Sequence, residues 1–160
     1  MSRMPAPVLI ERALLLKGDQ PDVGCIEQLV SFQRSGHRLI LVAPRPRRWR
    51  PTRKSVDHDL AIQQDLHQLF SRAGAEIDAF CYLPTGLFSR KPAKRNEFES
   101  IARRYDRNAS DLVLIGCDQA LIEAFSAAGG SVQALAAASP DAGSSDWLTG
   151  VLRDLSSKSA

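Results

Sequence analysis

The chain has 160 residues, 44% of them apolar and 24% charged, with a net charge of +3. That is the size of one ordinary domain, long enough to bury a core without disulfides or a structural metal. Cys25, Cys81 and Cys117 are too few and too scattered for a disulfide framework or a zinc motif. No apolar run approaches the roughly 18 residues of a membrane span. No charged head followed by a long apolar core marks a signal peptide. The expected setting is therefore cytoplasmic and reducing, with no membrane partner and with Cys25 and Cys81 as small core residues.

Residues 1–7 read as a frayed start. Val8 to Leu16 reads as a first strand, although Glu11 and Arg12 interrupt it, and its carboxyl end is placed at Lys17-Gly18-Asp19. Pro21-Asp22 opens a helix with Ile26, Leu29, Val30 and Phe32 on one stripe, and Ser35-Gly36 closes it. Arg38 to Ala43 is a short β-branched strand stopped by Pro44. Strand, helix and strand in that order make a right-handed βαβ unit, so the two strands lie parallel.

Pro44 to Ser55 carries three prolines and the basic run Arg45, Arg47, Arg48, Arg50, Arg53 and Lys54, and reads as irregular. Asp57 to Ala73 is the next helix, with Ile62, Leu66, Leu69, Phe70 and Ala73 on its buried face and Gly74 at its end. Ile77 to Leu83 is a third strand. Pro92 opens a helix buried through Phe98, Ile101, Ala102 and Tyr105. Asp111 to Ile115 is a fourth strand with its corner at Gly116, Gln119 to Ala128 a helix, and Ser131 to Leu135 a fifth strand. Ser139 to Ser145 reads as a flexible connection. Asp146 caps a last helix, to about residue 156, whose stripe is Trp147, Leu148, Val151, Leu152 and Leu155. The sum is a single α/β domain over 1–160, with its core at about 8–136 and a parallel sheet covered by helices on both faces.

The order of the strand-end corners is similar to that of the haloacid dehalogenase (HAD) superfamily, and within it to the small histidinol-phosphate and D,D-heptose 1,7-bisphosphate phosphatases. The residues that carry the likeness are Ala13 to Asp19, Leu39 to Pro44, Ile77 to Pro84, Arg90-Lys91-Pro92, Leu114-Ile115-Gly116, Ile122-Glu123-Ala124 and Ala127-Ala128-Gly129. The resemblance implies a HAD-like Rossmannoid three-layer sandwich with a central, mainly parallel five-stranded sheet. It also implies a set of departures. Lys17 stands where the family's attacking Asp would be, and Asp19 keeps the acid/base position, followed by Gln20 instead of glycine. Ala43 replaces the second motif's hydroxyl, Cys117 the metal-binding Asp and Leu121 a further acidic position. The zinc loop's cysteines and histidines are missing between Leu83 and Arg90.

Lysine cannot replace a carboxylate that must attack phosphorus, because its ammonium is protonated near neutral pH. Lys17 is expected instead to occupy the place of a cation and pair with Asp19, leaving no cofactor, with Asp118 the weak candidate for a metal ligand. Magnesium would be needed only if the chain were an active phosphatase. Lys17, Arg90, Lys91 and the backbone at Gly116 are the expected contacts for a phosphorylated small molecule. Cys117, before a helix, is placed for a lowered thiol pKa, but His37, His58 and His67 read as surface residues and none is placed to activate it. The run around Arg47-Arg48-Trp49-Arg50 reads as a solvated loop, a lid over a phosphate ligand, or a patch for nucleic acid or an acidic protein, Trp49 being able to stack on bases. Three functions follow: a degenerate, non-catalytic phosphatase-like protein with a binding or regulatory role; a divergent phosphatase acting on a small sugar or histidinol-type phosphate; or a nucleic-acid-associated accessory protein. The sequence leaves the oligomeric state open.

Overall fold

The computed structural model describes residues 5–44, 53–83, 91–134 and 146–158. In chain order the elements are β1 (Val8–Glu11), a 3-10 turn (Arg12–Leu15), β2 (Leu16–Lys17), β3 (Gln20–Pro21), α1 (Val23–Arg34), β4 (Leu39–Pro44), α2 (Arg53–Arg72), β5 (Ala79–Leu83), α3 (Lys91–Arg104), a 3-10 turn (Ala109–Asp111), β6 (Val113–Gly116), α4 (Gln119–Ala127), β7 (Ser131–Ala134) and α5 (Asp146–Lys158). No helix among the described residues is long and apolar enough to cross a membrane.

β1 lies at the centre because all four of its residues are buried. A parallel strand covered on both faces must be apolar almost throughout, and Val8-Leu9-Ile10 meets that demand. The sheet runs β5-β4-β1-β6-β7, and every pairing in it is parallel. β1 pairs Leu9 with Ile40 on one side and with Leu114 on the other. Residues alternate between the two faces of a strand, so Val8, Ile10, Leu39, Leu41 and Ile115 pack against α1, α2 and α5. Leu9, Ile40, Val42 and Leu114 pack against α3 and α4.

The helices follow their apolar spacing. Asp22 caps α1, its carboxylate accepting from the Cys25 N–H at 3.4 Å. Ile62, Leu66 and Phe70 line the buried side of α2, and Leu148, Leu152 and Leu155 that of α5. α2 begins at Arg53 rather than Asp57, so Arg53, Lys54 and Ser55 are helical and not irregular. Gly129, at φ +92°, ends the α4 segment in the left-handed conformation that glycine takes most readily.

The first strand is shorter than the sequence reading placed it. It stops at Glu11; Arg12 to Leu15 wind into a 3-10 turn, and Leu16-Lys17 pair with Gln20-Pro21 in a small antiparallel hairpin outside the main sheet. A short apolar run does not distinguish a strand from a turn that buries the same side chains. Leu14 and Leu15 go into the core from the turn, beside α1.

On the α3–α4 side Phe98 and Phe125 meet edge to face, centroids 4.9 Å apart at 88°. Both are fully buried. Phe98→Ala is expected to remove about 3–5 kcal/mol of unfolding free energy, measured by urea denaturation, with the loss shared between transfer and the cavity left opposite Phe125.

Candidate functional site

Taken in chain order, the five main strands lie 3-2-1-4-5 across the sheet. In such sheets ligands bind beyond the carboxyl ends of the strands, where the order of connection reverses. Here that place lies between β1 and β6, whose ends are Glu11 and Gly116. Glu11 is 3% exposed and is the one charged side chain buried among the described residues. A buried carboxylate is tolerated only when hydrogen-bonded or paired. The loop after β6 supplies the bonds: Glu11 Oε1 accepts from the Asp118 N–H at 3.0 Å, and Oε2 from the Cys117 N–H at 3.4 Å and the Cys117 thiol at 3.0 Å.

That arrangement decides the chemistry of Cys117. Burial, followed by the hydrogen bond to Glu11 and the charge of its carboxylate, pushes the thiol up from 9.0 to about 12. The expected lowering at the start of a helix is thereby reversed: a nearby anion and loss of water both disfavour the thiolate. Asp118 turns its own carboxylate away, accepting from the Leu121 N–H at 2.8 Å to cap α4.

Beside this corner Arg12 anchors α2. Its Nη1 lies 2.8 Å from Asp59 Oδ1, although no N–H of that nitrogen is aligned for a directed hydrogen bond. The guanidinium carbon sits 5.6 Å from the Phe80 ring centre and 6.0 Å from that of Tyr82, close enough for cation–π attraction. Tyr82 donates its O–H to Asp59. Burial first, then that bond, push the Tyr82 hydroxyl up to about 12.

The residues singled out from sequence fall elsewhere. Lys17 is exposed on the hairpin, its Nζ 3.7 Å from Asp22 Oδ2. Asp19 is exposed on the same hairpin, 3.2 Å from His58 Nε2. The expected Lys17–Asp19 pair is therefore replaced by two other pairs, because the strand that was to carry both ends at Glu11. Gly116 does stand at the corner, but the amides that follow it, those of Cys117 and Asp118, point to Glu11 rather than to a ligand. His58 and His67 are exposed, whereas His37 is half-buried and stacks on Phe32 at 4.0 Å, burial lowering its pKa. Arg45, Arg47, Arg48, Trp49, Arg50 and Arg90 lie outside the described residues, as do the side chains of Arg53, Lys54 and Lys91. Glu11 was the residue sequence reasoning passed over. Its signal was present: a lone carboxylate directly after Val8-Leu9-Ile10.

No protein-family model and no curated protein matches this sequence. Solved structures do match the fold. The D,D-heptose 1,7-bisphosphate phosphatase from B. bronchiseptica, solved with magnesium and phosphate, superposes with a TM-score of 0.60 at 18% identity over 79% of each chain. An uncharacterized protein from Corynebacterium glutamicum superposes at 0.54 and 15% identity, covering 92% of this chain and 94% of that one. The chain thus has the HAD-like α/β fold expected from its corners. Magnesium, present in the first of these structures, calls for an octahedral shell of hard oxygen ligands. The corner here offers one carboxylate already engaged by three donors, a thiol, and a second carboxylate turned to cap a helix. Among the described residues no group of three His, Cys, Asp or Glu side chains is placed to hold a metal ion. These residues do not fit the ion.

The raised thiol gives a direct check. A folded pKa above the unfolded value stabilises the fold fully below pH 9.0, and that contribution is lost as pH rises toward about 12. At pH 8 the difference of about three units leaves roughly a thousandfold less thiolate on Cys117 than on an unperturbed cysteine. Peptide-resolved alkylation of the native protein with iodoacetamide is expected to label Cys117 far more slowly than an unperturbed cysteine; labelling at the ordinary rate at pH 8 would refute the Cys117–Glu11 contact.

Proposed function

We propose that this chain is a HAD-like domain without phosphatase activity that serves a binding or regulatory role. The reading rests on Glu11. When the resemblance is laid on β1 as the strand runs, the attacking carboxylate falls on Glu11 and the acid/base position, two residues on, falls on Ala13. Covalent phosphoryl transfer needs a carboxylate that can approach phosphorus in line and a group that protonates the leaving oxygen. Glu11 is buried with both oxygens engaged, and Ala13 has no proton to give. Ala43, buried at the end of β4, contributes no hydroxyl. Losing members of such a catalytic set costs about 10⁴–10⁶ in rate.

The binding side of the proposal draws on where the basic residues enter. The run from Arg45 to Lys54 begins directly after Pro44, at the carboxyl end of β4, and β4 is the strand beside β1. Cations leaving the ligand-binding edge of a sheet suit an anionic partner. A phosphorylated small molecule is the partner that this edge, in this fold, fits best.

The test is hydrolysis of p-nitrophenyl phosphate with magnesium, run on the wild type and on a Glu11→Asp, Ala13→Asp, Cys117→Asp triple variant. Wild-type turnover is expected at the uncatalysed background. Magnesium-driven hydrolysis by the wild type, lost in Glu11→Gln, would overturn the proposal.

A further inference from the structure

We infer that the β1–β6 corner is a metal-free latch, in which the N–H groups of Cys117 and Asp118 and the Cys117 thiol hold the Glu11 carboxylate in the role a divalent cation would otherwise fill. The inference stands on the geometry of the corner and not on the absence of turnover.

The carboxylate at the end of the central strand is shut away from water. It must gain positive potential from somewhere, since burial of an uncompensated charge is prohibitive. A bound cation is one source. Donors pointed at its oxygens are another, and charge-assisted bonds are the stronger kind. Glu11 has three such donors, all from two consecutive residues of one loop. Side-chain length matters here. The alternation that sends Leu9 to the α3–α4 face sends Glu11 the same way, and its extra methylene relative to Asp carries the oxygens across to the amides before α4. Those amides lie at a helix N-terminus, whose dipole adds to their attraction for an anion.

Asp118 completes the arrangement by leaving it. With its carboxylate capping α4 at Leu121, Glu11 is the one anion turned into the corner among the described residues. A magnesium ion entering there would have to take Glu11 from its donors, deprive two N–H groups of their acceptor, and find its remaining ligands at a thiol. Each of those steps is unfavourable.

The latch predicts that divalent metal neither binds nor stabilises the native protein. Thermal unfolding of the wild type in EDTA and in about 10 mM magnesium chloride should give midpoints equal within about 1 °C, since a ligand that does not bind the native state shifts nothing. Cys117→Asp replaces a donor with a second carboxylate facing Glu11. Its midpoint in EDTA should fall by about 5 °C or more through like-charge repulsion, and magnesium should restore much of the loss. A wild-type midpoint that climbs several degrees with magnesium, the climb vanishing in Glu11→Gln, overturns the latch. Should Cys117→Asp not fold in EDTA, the wild-type comparison decides alone. Metal-independent hydrolysis would refute the function proposed above and leave the latch intact, so the two fail separately.

Discussion

A single buried carboxylate sets the terms for the rest of this structure. Glu11 ends the central strand, is shut away from solvent, and is held by the loop that joins β6 to α4. Because burying an unpaired charge is so costly, the loop has one acceptable course: its amides must face inward. That course fixes how α4 starts, which residue caps it, and why the thiol between them stays protonated. At the switch point of the sheet the loop amides are thereby bonded to Glu11.

The comparison with the B. bronchiseptica phosphatase makes the same point from outside. The two chains share a fold at 18% identity, and a shared scaffold does not carry its chemistry with it. Chemistry depends on which atoms sit at the strand ends and what those atoms are already bonded to. Here the strand ends present an engaged glutamate, an alanine and a neutral thiol. A second cluster, Arg12 with Asp59, Phe80 and Tyr82, ties the turn after β1 to α2 and to the edge strand β5. Both sets of contacts cross between elements: one joins β1 to the loop before α4, the other the turn after β1 to α2 and β5.

Much of the architecture was legible in the residues. The stripe Ile62, Leu66, Phe70 announced α2 because burial repeats with the turn of a helix. The apolar run Leu39 to Ala43 closed by Pro44 announced β4, and Pro21-Asp22 announced the start of α1, whereas Asp118, read as a weak metal candidate, caps α4. The misreading came at Ala13 to Leu16. Those residues are as apolar as the start of β1, and Leu14 and Leu15 are buried, but from a 3-10 turn that leads into a hairpin. Moving the strand end from Lys17 to Glu11 moved the whole reading of the site with it: a cation-mimic lysine became a hairpin residue paired with Asp22, and an interruption became the key side chain.

Composition and periodicity alone pointed to an α/β fold with parallel strands and helices on both faces, since those features follow from which residues must leave water. Where the central strand stops, which donors meet Glu11, and that the Cys117 thiol is raised rather than lowered were decided only in three dimensions. Each depends on contacts between segments about a hundred residues apart in the chain, and no local pattern encodes the electrostatics of two backbones that meet only once the sheet has formed.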